Sequence, residues 1–313
     1  MQAAVVGIDI GGTKVAVGVA PWEGGEPWRT ARLETAALPP GEEALDRIAA
    51  AARELVAAAG LPWQAVRGAG VGSPGPFRGG RRLYRPANLP GWDGLDLEAG
   101  FQARLGCPVR VENDANAAAW AEWRQGAGQG SRSLVFVTVS TGIGAGMVLD
   151  GRLYEGAEGN AGEIGHWVLD PKGPLCHCGR RGCLETLASG TALARMAADR
   201  RAGSPYLQAV ERPTAREVLA GWKAGDPVCT GIVEEATYHL GWGLALAINA
   251  FNPDRIVLGG GVMLGSERLL EPVRAAAQRF SLPSLYAAVS FRLAGLGPES
   301  GLAGALAVGR LLE

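Results

Sequence analysis

Long apolar runs and blocks of like charge are both missing from this 313-residue sequence. No stretch approaches the roughly 20 apolar residues that a membrane helix needs. The N-terminal MQAAVVGIDI lacks the charged region and long apolar core of a signal peptide. Lysine and arginine together number 30, and aspartate and glutamate 31, which leaves a formal net charge of -1. We therefore expect a cytoplasmic protein that binds neither a membrane nor nucleic acid.

Two common nucleotide-binding motifs are also absent around the glycine-rich turn Asp9–Lys14. The P-loop pattern GxxxxGK[ST] does not occur there, and no helix is expected after the turn, which also excludes a dinucleotide fingerprint. The turn instead joins two buried strands, predicted over residues 4–10 and 15–20, in a β-hairpin. Its glycines let backbone N–H groups approach phosphate oxygens, Thr13 adds a hydroxyl donor, and Asp9 can hold Mg²⁺ through water.

Two further glycine-rich turns follow buried strands. Ser140–Gly146 repeats the order strand, turn, strand, which indicates an internal duplication of two related α/β halves, and Gly259–Gly261 lies at a strand-to-helix junction. A tight hairpin would explain any one of these turns, but three together favour one nucleotide held between the halves. The predicted ATP contacts are Asp9, Gly11, Gly12, Thr13, Lys14, Thr141, Gly142, Gly259, Gly260, Gly261 and Val262.

The order of strand and helix patterns predicts an α/β protein of two domains, since a single core rarely grows beyond about 250–300 residues. We expect a small N-terminal domain over residues 1–115 and a large domain with a metal loop over 116–299. A C-terminal helix over 300–313 is expected to pack back on the small domain. Helices are predicted at 42–59, 95–105, 115–124 and 228–251, and later strands at 66–72, 108–112, 255–258 and 287–293.

Asp114 follows a predicted strand directly and lies at the start of an alanine-rich helix, with Asn113 before it. The helix dipole favours a carboxylate there. An aspartate within hydrogen-bond reach of a hydroxyl can accept its proton as the oxygen attacks a γ-phosphorus. A plain helix N-cap is the commonest use of aspartate at such a position. Spacing alone leaves both interpretations open and favours the cap.

Three of the five cysteines lie within eight positions, at Cys176, Cys178 and Cys183, and His166 precedes them. Clustered cysteines in a cytosolic protein favour a metal over disulfides. Three thiolates and one imidazole form a closed tetrahedral site for structural Zn²⁺. His177 is a competing ligand, but its place between two cysteines makes chelation awkward, so we expect His166.

Carboxylates flank the predicted metal loop at Glu163 and Glu185. A sugar site needs fixed donors and acceptors aimed at hydroxyls, because an unmade buried hydrogen bond costs about 1–3 kcal/mol. Together with Asn88 and Asn113, these carboxylates supply such a pattern if the metal loop holds them in place. Without that loop, either glutamate would be an ordinary surface residue.

Seven short motifs lie along the chain: Asp9-Ile-Gly-Gly-Thr-Lys14, Gly72-Ser-Pro-Gly75, Asn88-Leu-Pro-Gly-Trp92, Asn113-Asp114-Ala115-Asn116, Thr141-Gly-Ile-Gly144, Glu163-Ile-Gly-His166 and Cys176-x-Cys-Gly-x-x-Gly-Cys-x-Glu185. Together they resemble the ROK family of bacterial sugar kinases and repressors over essentially the whole chain. The last motif matches at every fixed position and is highly specific, whereas the glycine turns alone are not.

The resemblance implies an actin-like ATPase fold of two ribonuclease H-like domains that flank a cleft. It implies ATP-dependent phosphorylation of a hexose at its 6-hydroxyl, with glucose as the first expectation and Asp114 as general base. Mg²⁺ and a structural Zn²⁺ are the implied cofactors, and a homodimer or homotetramer is the implied assembly. The implied sugar contacts are Gly75, Asn88, Asn113, Glu163, His166 (which would also bind the zinc) and Glu185.

Two alternatives stay open. A kinase for another hexose, such as fructose, mannose or N-acetylmannosamine, would use the same residues and differ in pocket shape. The family also contains sugar-sensing repressors, which carry a helix-turn-helix ahead of the kinase-like body. Here the phosphate turn begins at Asp9, so we expect no room for one, and the net charge of -1 argues against DNA binding.

Overall fold

The structure of the protein, a computed structural model, describes residues 2–312 apart from the side chain of Pro298. Met1 and Glu313, the outermost residues of the predicted domain ranges, lie outside the described residues. Contacts group the chain into two compact units. Unit 1 comprises Met1–Gly126, Leu153–Ala161 and Glu299–Glu313, and unit 2 comprises Ala127–Arg152 and Gly162–Pro298.

Strands and helices alternate along most of the chain. The strands are β1 (Ala4–Ile10), β2 (Lys14–Pro21), β3 (Arg29–Glu34), β4 (Val66–Ser73), β5 (Val109–Asn113), β6 (Leu134–Val139), β7 (Ile143–Leu149), β8 (Arg152–Leu153), β9 (Arg255–Gly259) and β10 (Ser290–Leu293). The helices are α1 (Glu42–Ala58), α2 (Leu97–Leu105), α3 (Asp114–Gln125), α4 (Leu184–Ala188), α5 (Gly190–Arg200), α6 (Pro205–Gln208), α7 (Ala215–Lys223), α8 (Pro227–Phe251), α9 (Gly260–Leu264), α10 (Leu270–Phe280), α11 (Pro283–Ala288) and α12 (Ser300–Gly309). Among residues 2–312, none of these helices combines the length and apolar character that crossing a membrane requires.

The sheet of unit 1 has the strand order β3-β2-β1-β4-β5. β1 pairs antiparallel with β2 and parallel with β4, and β4 pairs parallel with β5. Since parallel strands end at the same edge of a sheet, the carboxyl ends of β1, β4 and β5 lie side by side. That edge carries Asp9, Gly72 and Asn113 in neighbouring register positions.

Side chains on the two faces of this sheet pack against different helices, as the period of two along a strand requires. Val6 and Ile8 lie in a buried cluster with residues of α1 and α2, whereas Val5 packs with Leu302 and Leu306 of α12. Gly70 of β4 lets α12 approach the sheet, because a Cβ there would overlap the backbone of the helix. The terminal helix therefore covers the second face of the sheet in unit 1.

The sheet of unit 2 repeats the topology of the first. Its order is β10-β9-β6-β7-β8, which read in reverse matches β3-β2-β1-β4-β5 strand for strand. β6 pairs antiparallel with β7 and parallel with β9, as β1 does with β2 and β4. The internal duplication predicted from the glycine-rich turns is confirmed by this repeated strand order.

Most predicted elements are present within two or three residues, and one boundary is wrong. The strand predicted over 287–293 begins only at Ser290, because Pro283 starts the short helix α11 that runs to Ala288. Sequence patterns also missed the amphipathic helix α10.

The predicted domain division after residue 115 falls within α3, whereas the contacts assign the whole of that helix to unit 1. The functional domain boundary stays a prediction.

Candidate active site

Two carboxylates lie at the shared edge of β1 and β5 in unit 1. Asp9 is the penultimate residue of β1, and Asp114 follows β5 directly. Gly72 of β4 lies between them, since a Cβ there would be 3.8 Å from Asp9 Oδ1 and 3.9 Å from Asp114 Cα. The parallel pairing of three strands thus brings together two acids that are 105 residues apart in sequence.

Asn113, and not Asp114, caps helix α3. The Asn113 Oδ1 accepts hydrogen bonds from the backbone N–H groups of Ala115 (2.9 Å) and Asn116 (3.3 Å). The interpretation of Asp114 as the N-cap is therefore wrong, because Asp114 is the first helical residue. Capping uses the Asn113 carbonyl oxygen and leaves its Nδ2 available as a donor. The Asp114 side chain is exposed to solvent, so a substrate can reach it.

Both carboxyl groups hold protons more tightly than usual. Burial raises the pKa of Asp9 to about 6, and the negative charge of Asp114 adds to the rise while the Lys14 ammonium opposes it. The protein atoms packed around Asp114 likewise raise the pKa of its carboxyl, although its own surface reaches solvent, and the Ala115 N–H partly counters that rise. Carboxylates with raised pKa values accept protons more readily, as a general base must.

The glycine turn Asp9–Lys14 packs against a predicted sugar contact. The Gly11 N–H donates to the carbonyl of Lys14 (2.9 Å), which closes the turn between β1 and β2. A Cβ on Gly12 would lie 2.9 Å from the backbone oxygen of Asn88, so only glycine fits at this approach. Gly12, Thr13, Lys14 and Asn88 are all exposed to solvent. Unit 1 therefore presents a candidate phosphate turn and a candidate sugar residue next to each other.

Gly75, a further predicted sugar contact, lies beside Asn113. The position of a Cβ on Gly75 would be 3.7 Å from Asn113 Nδ2 and 3.5 Å from Oδ1 of Asn160. The donor that capping leaves available thus points toward the loop that carries Gly75. Asn160 was not among the residues predicted from the sequence.

Unit 2 gathers the four predicted zinc ligands. Each offers one ligand atom, and these atoms all lie within 4.8 Å of one another. His166 Nδ1 lies 3.6 Å from Cys176 Sγ, and Cys178 Sγ lies 3.6 Å from Cys183 Sγ. A tetrahedral zinc with its usual bond lengths places such sulfur and nitrogen atoms about 3.5–3.8 Å apart. The donor set and its spacing therefore fit Zn²⁺.

The electrostatics of this cluster favour a bound cation. Burial, together with the neighbouring thiols Cys178 and Cys176, raises the pKa of Cys183 to about 12, so the three thiols do not ionise together without a positive charge. Burial also lowers the pKa of His166, which keeps the imidazole in the neutral form that ligates metals. His177 Nδ1 lies closer to Glu185 Oε1 (3.3 Å) than to Cys176 Sγ (3.9 Å), and His177 is not one of the four residues whose ligand atoms group with the three thiols.

Glu185 links the cysteine loop to the glycine turn between β6 and β7. Its Oε2 accepts a hydrogen bond from the backbone N–H of Ile143 (3.0 Å). A Cβ at Gly142 would overlap that same oxygen, so any larger residue there would displace the Glu185 carboxylate. On the other side of the loop, His166 Nε2 lies 3.8 Å from Glu163 Oε2, so His166 presents one nitrogen to the thiols and the other to Glu163.

A pocket of about 910 Å³ opens beside the same turn, wholly within unit 2. Hydroxyl groups and glycine backbone line one part of this pocket, and residues of α7 line another. Its residues are Ser140, Thr141, Gly190, Thr191, Ala194, Thr214, Ala215, Arg216, Glu217, Leu219, Ala220, Lys223, Gly261, Val262 and Gly265. This size and mixture of apolar, hydroxyl and cationic groups suits a nucleotide.

Three of the predicted ATP contacts in unit 2 line this pocket, namely Thr141, Gly261 and Val262. Two others serve packing: a Cβ on Gly259 would touch the ring of Phe136, and one on Gly260 would overlap the backbone of Val139. The sequence reasoning missed α5 and α7 as walls of the pocket. The capping box Thr214-x-x-Glu217 marks the start of α7 in the sequence, but nothing local indicates which cavity that helix lines.

The two repeated sheets and their helices define an α/β protein of the actin-like ATPase fold, with residues suited to phosphoryl transfer. The model of the ROK family matches residues 5–310, and the chain therefore belongs to the ROK family. The resemblance stated from the sequence motifs is confirmed.

Three similar proteins carry informative names. The glucokinase of Streptomyces coelicolor is 35% identical over 316 residues, which cover 97% of each chain. The crystal structure of a ROK hexokinase from Thermus thermophilus is 39% identical, has a TM-score of 0.85 and is matched over 98% of both chains. The crystal structure of a ROK family glucokinase from Streptomyces griseus in complex with glucose and AMPPNP is 35% identical, with a TM-score of 0.81 over 99% of this chain and 100% of that one.

Proposed function

We propose that this protein is an ATP-dependent hexokinase that phosphorylates the 6-hydroxyl of glucose. The observation that carries the proposal is the solvent-exposed carboxylate of Asp114, placed beside the capping residue Asn113 at the sheet edge where Asp9 also lies. The names of the relatives and the glucose and AMPPNP bound to one of them support the same reaction.

Asp114 is the proposed general base. The 6-hydroxyl gives its proton to the Asp114 carboxylate as its oxygen attacks the γ-phosphorus of ATP, and ADP leaves. Asn113 donates through Nδ2 to a sugar oxygen, because its Oδ1 is used by the helix cap. Gly75 and Asn88, which lie beside Asn113 and the glycine turn, complete the proposed sugar contacts of unit 1.

The proposed sugar contacts of unit 2 are Glu163, His166 and Glu185. Zn²⁺ on His166, Cys176, Cys178 and Cys183 would fix the loop that carries them, and its role would be structural because four protein ligands close the site. With Nδ1 on the metal, the other ring nitrogen of His166 would carry the proton and donate to a hydroxyl. Glu185 would accept a hydrogen bond from a sugar hydroxyl while it also accepts from the Ile143 N–H, since each carboxylate oxygen accepts more than one hydrogen bond.

The nucleoside part of ATP is proposed to occupy the pocket beside Thr141, with α7 along one side. Lys14 and the backbone of the glycine turn Asp9–Lys14 are proposed to contact phosphate oxygens. Mg²⁺, which accompanies ATP in kinases, screens the phosphate charge. Asp9 would hold it through a water molecule, a mode that suits an ion that gives up its waters reluctantly.

A coupled assay of ADP release across a panel of hexoses tests this function. The purified protein is incubated with MgATP and, separately, glucose, mannose, fructose and N-acetylmannosamine. We expect glucose to give the highest kcat/KM. Product analysis should identify glucose 6-phosphate. A protein that hydrolyses ATP at the same slow rate with every sugar would contradict the proposal, and a strong preference for another hexose would correct the substrate.

Two finer expectations from the resemblance stay predictions. Light scattering of the purified protein tests whether it forms the expected homodimer or homotetramer. A cytoplasmic location agrees with the use of ATP and with a cluster of reduced thiols, and fractionation of the source cells tests it.

A further inference from the structure

The segment Leu153–Ala161, hereafter the strap, belongs to unit 1 although the chain on either side of it belongs to unit 2. Two groups of contacts fasten the strap to unit 1. One is a clamp made by the side chain of Asn160, and the other is a cluster of four charged side chains. Neither group has a part in the mechanism described above.

The Asn160 side chain holds the backbone of Phe77 in both directions. Its Oδ1 accepts from the Phe77 N–H at 2.8 Å, and its Nδ2 donates to the Phe77 carbonyl at 2.8 Å. A side-chain amide can donate and accept at once, because it carries both an NH₂ group and a carbonyl oxygen. The Phe77 side chain is 2% exposed, so the residue that Asn160 grips is itself anchored in the core.

The clamp acts directly on the loop of the proposed sugar site. Phe77 follows Gly75 and Pro76, and the position of a Cβ on Gly75 would be 3.5 Å from Asn160 Oδ1 and 3.7 Å from Asn113 Nδ2. Both amides therefore lie close to the Cβ position of Gly75. Asn160 holds the loop through the backbone of Phe77, and Asn113, the neighbour of the proposed base, lies next to the same glycine.

The charged cluster seats the strap. Arg110 donates to Glu112 (3.1 Å) and Glu155 (2.5 Å), and Arg81 pairs with the same two carboxylates, at 3.2 Å from Glu112. The Glu112 side chain is fully buried, and those of Arg81, Arg110 and Glu155 are 15%, 29% and 29% exposed. Gly159 has a φ of +78°, which favours glycine, and a Cβ there would overlap the Arg81 guanidinium. Charged contacts around one buried carboxylate therefore hold the strap to unit 1.

We propose that Asn160 is a positioning residue for the hexose, which sets the Gly75 loop against Asn113. The inference rests on the proposed function, because it concerns the same sugar site. Without the clamp the backbone of Phe77 loses two hydrogen bonds, so the Gly75 loop is held less firmly against Asn113 and the hydroxyls of the sugar are held less well. The effect falls on sugar binding and on discrimination between hexose epimers, whereas the affinity for ATP is retained.

The test variant is Asn160→Leu, which keeps the size of the side chain and removes both hydrogen bonds. Asn249→Leu is a matched control: Asn249 Nδ2 donates to the carbonyl of Phe280 (3.2 Å), and its Oδ1 accepts from the N–H of Leu282 (3.0 Å). Both variants lose a two-sided backbone clamp. Asn249 makes its clamp in unit 2, at the end of α8, on none of the proposed sugar residues.

Glucose binding by calorimetry and steady-state kinetics provide the readouts. We expect Asn160→Leu to raise the glucose dissociation constant and KM by about tenfold or more, to leave KM for ATP unchanged within about twofold, and to narrow the ratio of kcat/KM between glucose and mannose. Asn249→Leu should lower the melting temperature to a similar extent without these changes. If Asn160→Leu does not fold, Asn160→Asp provides the same test, because it keeps the acceptor and places a second acceptor against the Phe77 carbonyl.

Two results would overturn the inference in distinguishable ways. A wild-type protein that neither binds nor phosphorylates any hexose would overturn the proposed function and this inference with it. Wild-type activity combined with unchanged glucose affinity and epimer ratio in Asn160→Leu would overturn the inference alone.

Discussion

The side chains of Asp9 and Asp114 share one electrostatic environment, although they follow different strands. Gly72 of the intervening strand has no side chain to separate them. Burial raises the pKa of both carboxyl groups, and the charge of Asp114 makes ionisation of Asp9 still less favourable. The pair therefore titrates closer to neutrality than ordinary surface acids do.

The first prediction concerns the pH dependence of kcat/KM for ATP. The proposed Mg²⁺ contact needs the charged form of Asp9, and burial raises the pKa of Asp9 to about 6, so we expect activity to fall as the pH drops through about 6. The contribution of this group to stability has the opposite sign. This stabilising contribution is present at a pH below 3.8, the usual pKa of aspartate, and is lost as the pH rises through about 6, the raised pKa of Asp9.

A profile of kcat/KM between about pH 4 and 8 at saturating glucose checks this prediction. The coupling enzymes of the assay are kept in excess at each pH, so that the acid limb of the profile reflects the activity of this protein and not theirs. An acid limb at or below about pH 4.5, where unperturbed carboxyl groups titrate, would contradict it.

Gly301 gives a second prediction at the residue scale. A Cβ at Gly301, in the first turn of α12, would overlap the Asp9 carboxylate. In Gly301→Ala the carboxylate has to move, which a flexible side chain does at little cost. We expect folding stability to be nearly unchanged and kcat/KM for ATP to fall by about tenfold, since the proposed Mg²⁺ contact is displaced.

Gly231→Ala is the matched control, because a Cβ at Gly231 in α8 meets no atom within 4 Å. It should leave kcat/KM unchanged and stabilise the protein by about 0.5–1 kcal/mol, the usual gain when alanine replaces glycine within a helix. Thermal unfolding and ATP kinetics on both variants separate the two effects. Full activity in Gly301→Ala would show that the position of Asp9 is unimportant.

The sequence alone identified the residues of this edge but could not assign their roles. Asn113 and Asp114 both suit a helix start, and spacing favoured Asp114 as the cap. Only the hydrogen bonds of Asn113 to the first turn decide the matter. The role of Asn160 could not be predicted at all, because its partner Phe77 is 83 residues away in sequence.

At the scale of elements, the cysteine loop and helix α4 act as one piece. α4 begins directly after Cys183, and Glu185 in its first turn holds the backbone of Ile143. A metal on the cysteines would therefore fix both His166 and the turn between β6 and β7. The loop itself has little regular structure to keep it in place.

The third prediction is that the purified protein carries one zinc per chain and needs it for glucose binding. Metal analysis should find the zinc in the wild type and not in Cys178→Ala. We expect the variant to have a lower melting temperature and a glucose KM raised by about tenfold or more. Without the metal, His166 is no longer fixed in the position from which it is proposed to contact the sugar. Cys229→Ala serves as control, since Cys229 is a buried cysteine outside the cluster. Metal-free protein with unchanged glucose KM would contradict the prediction.

Elements with strong local signals were predictable, and those fixed by packing were not. The buried strands β1 and β6 and the long helix α8 have clear apolar patterns. The strand β3 has no fully buried residue and lies at the sheet edge, where pairing with β2 and the packing of Leu33 against the core hold it. The pocket walls α5 and α7 look like ordinary amphipathic helices in the sequence.

At the scale of the whole molecule, the same five-stranded topology occurs twice and has diverged in use. In the first copy, the strand edge carries Asp9 and Asp114. In the second copy, the turn between β6 and β7 is hydrogen-bonded to Glu185 and borders the pocket of about 910 Å³. The glycine-rich hairpins predicted the repeat. The strands that join each sheet from farther along the chain, β4 and β5 in the first and β9 and β10 in the second, do not resemble each other in sequence.

The fourth prediction addresses the central claim, that Asp114 accepts the proton of the sugar hydroxyl. Asp114→Asn keeps the shape of the side chain and the helix start, because Asn113 is the cap. It removes the charge that a base needs. Kinetics and glucose calorimetry on this variant, beside the wild type, test the claim most directly.

We expect kcat to fall by about 10²–10⁴-fold while the glucose dissociation constant stays within about twofold of the wild-type value. Turnover comparable to that of the wild type, in a variant that binds glucose normally, would contradict the account.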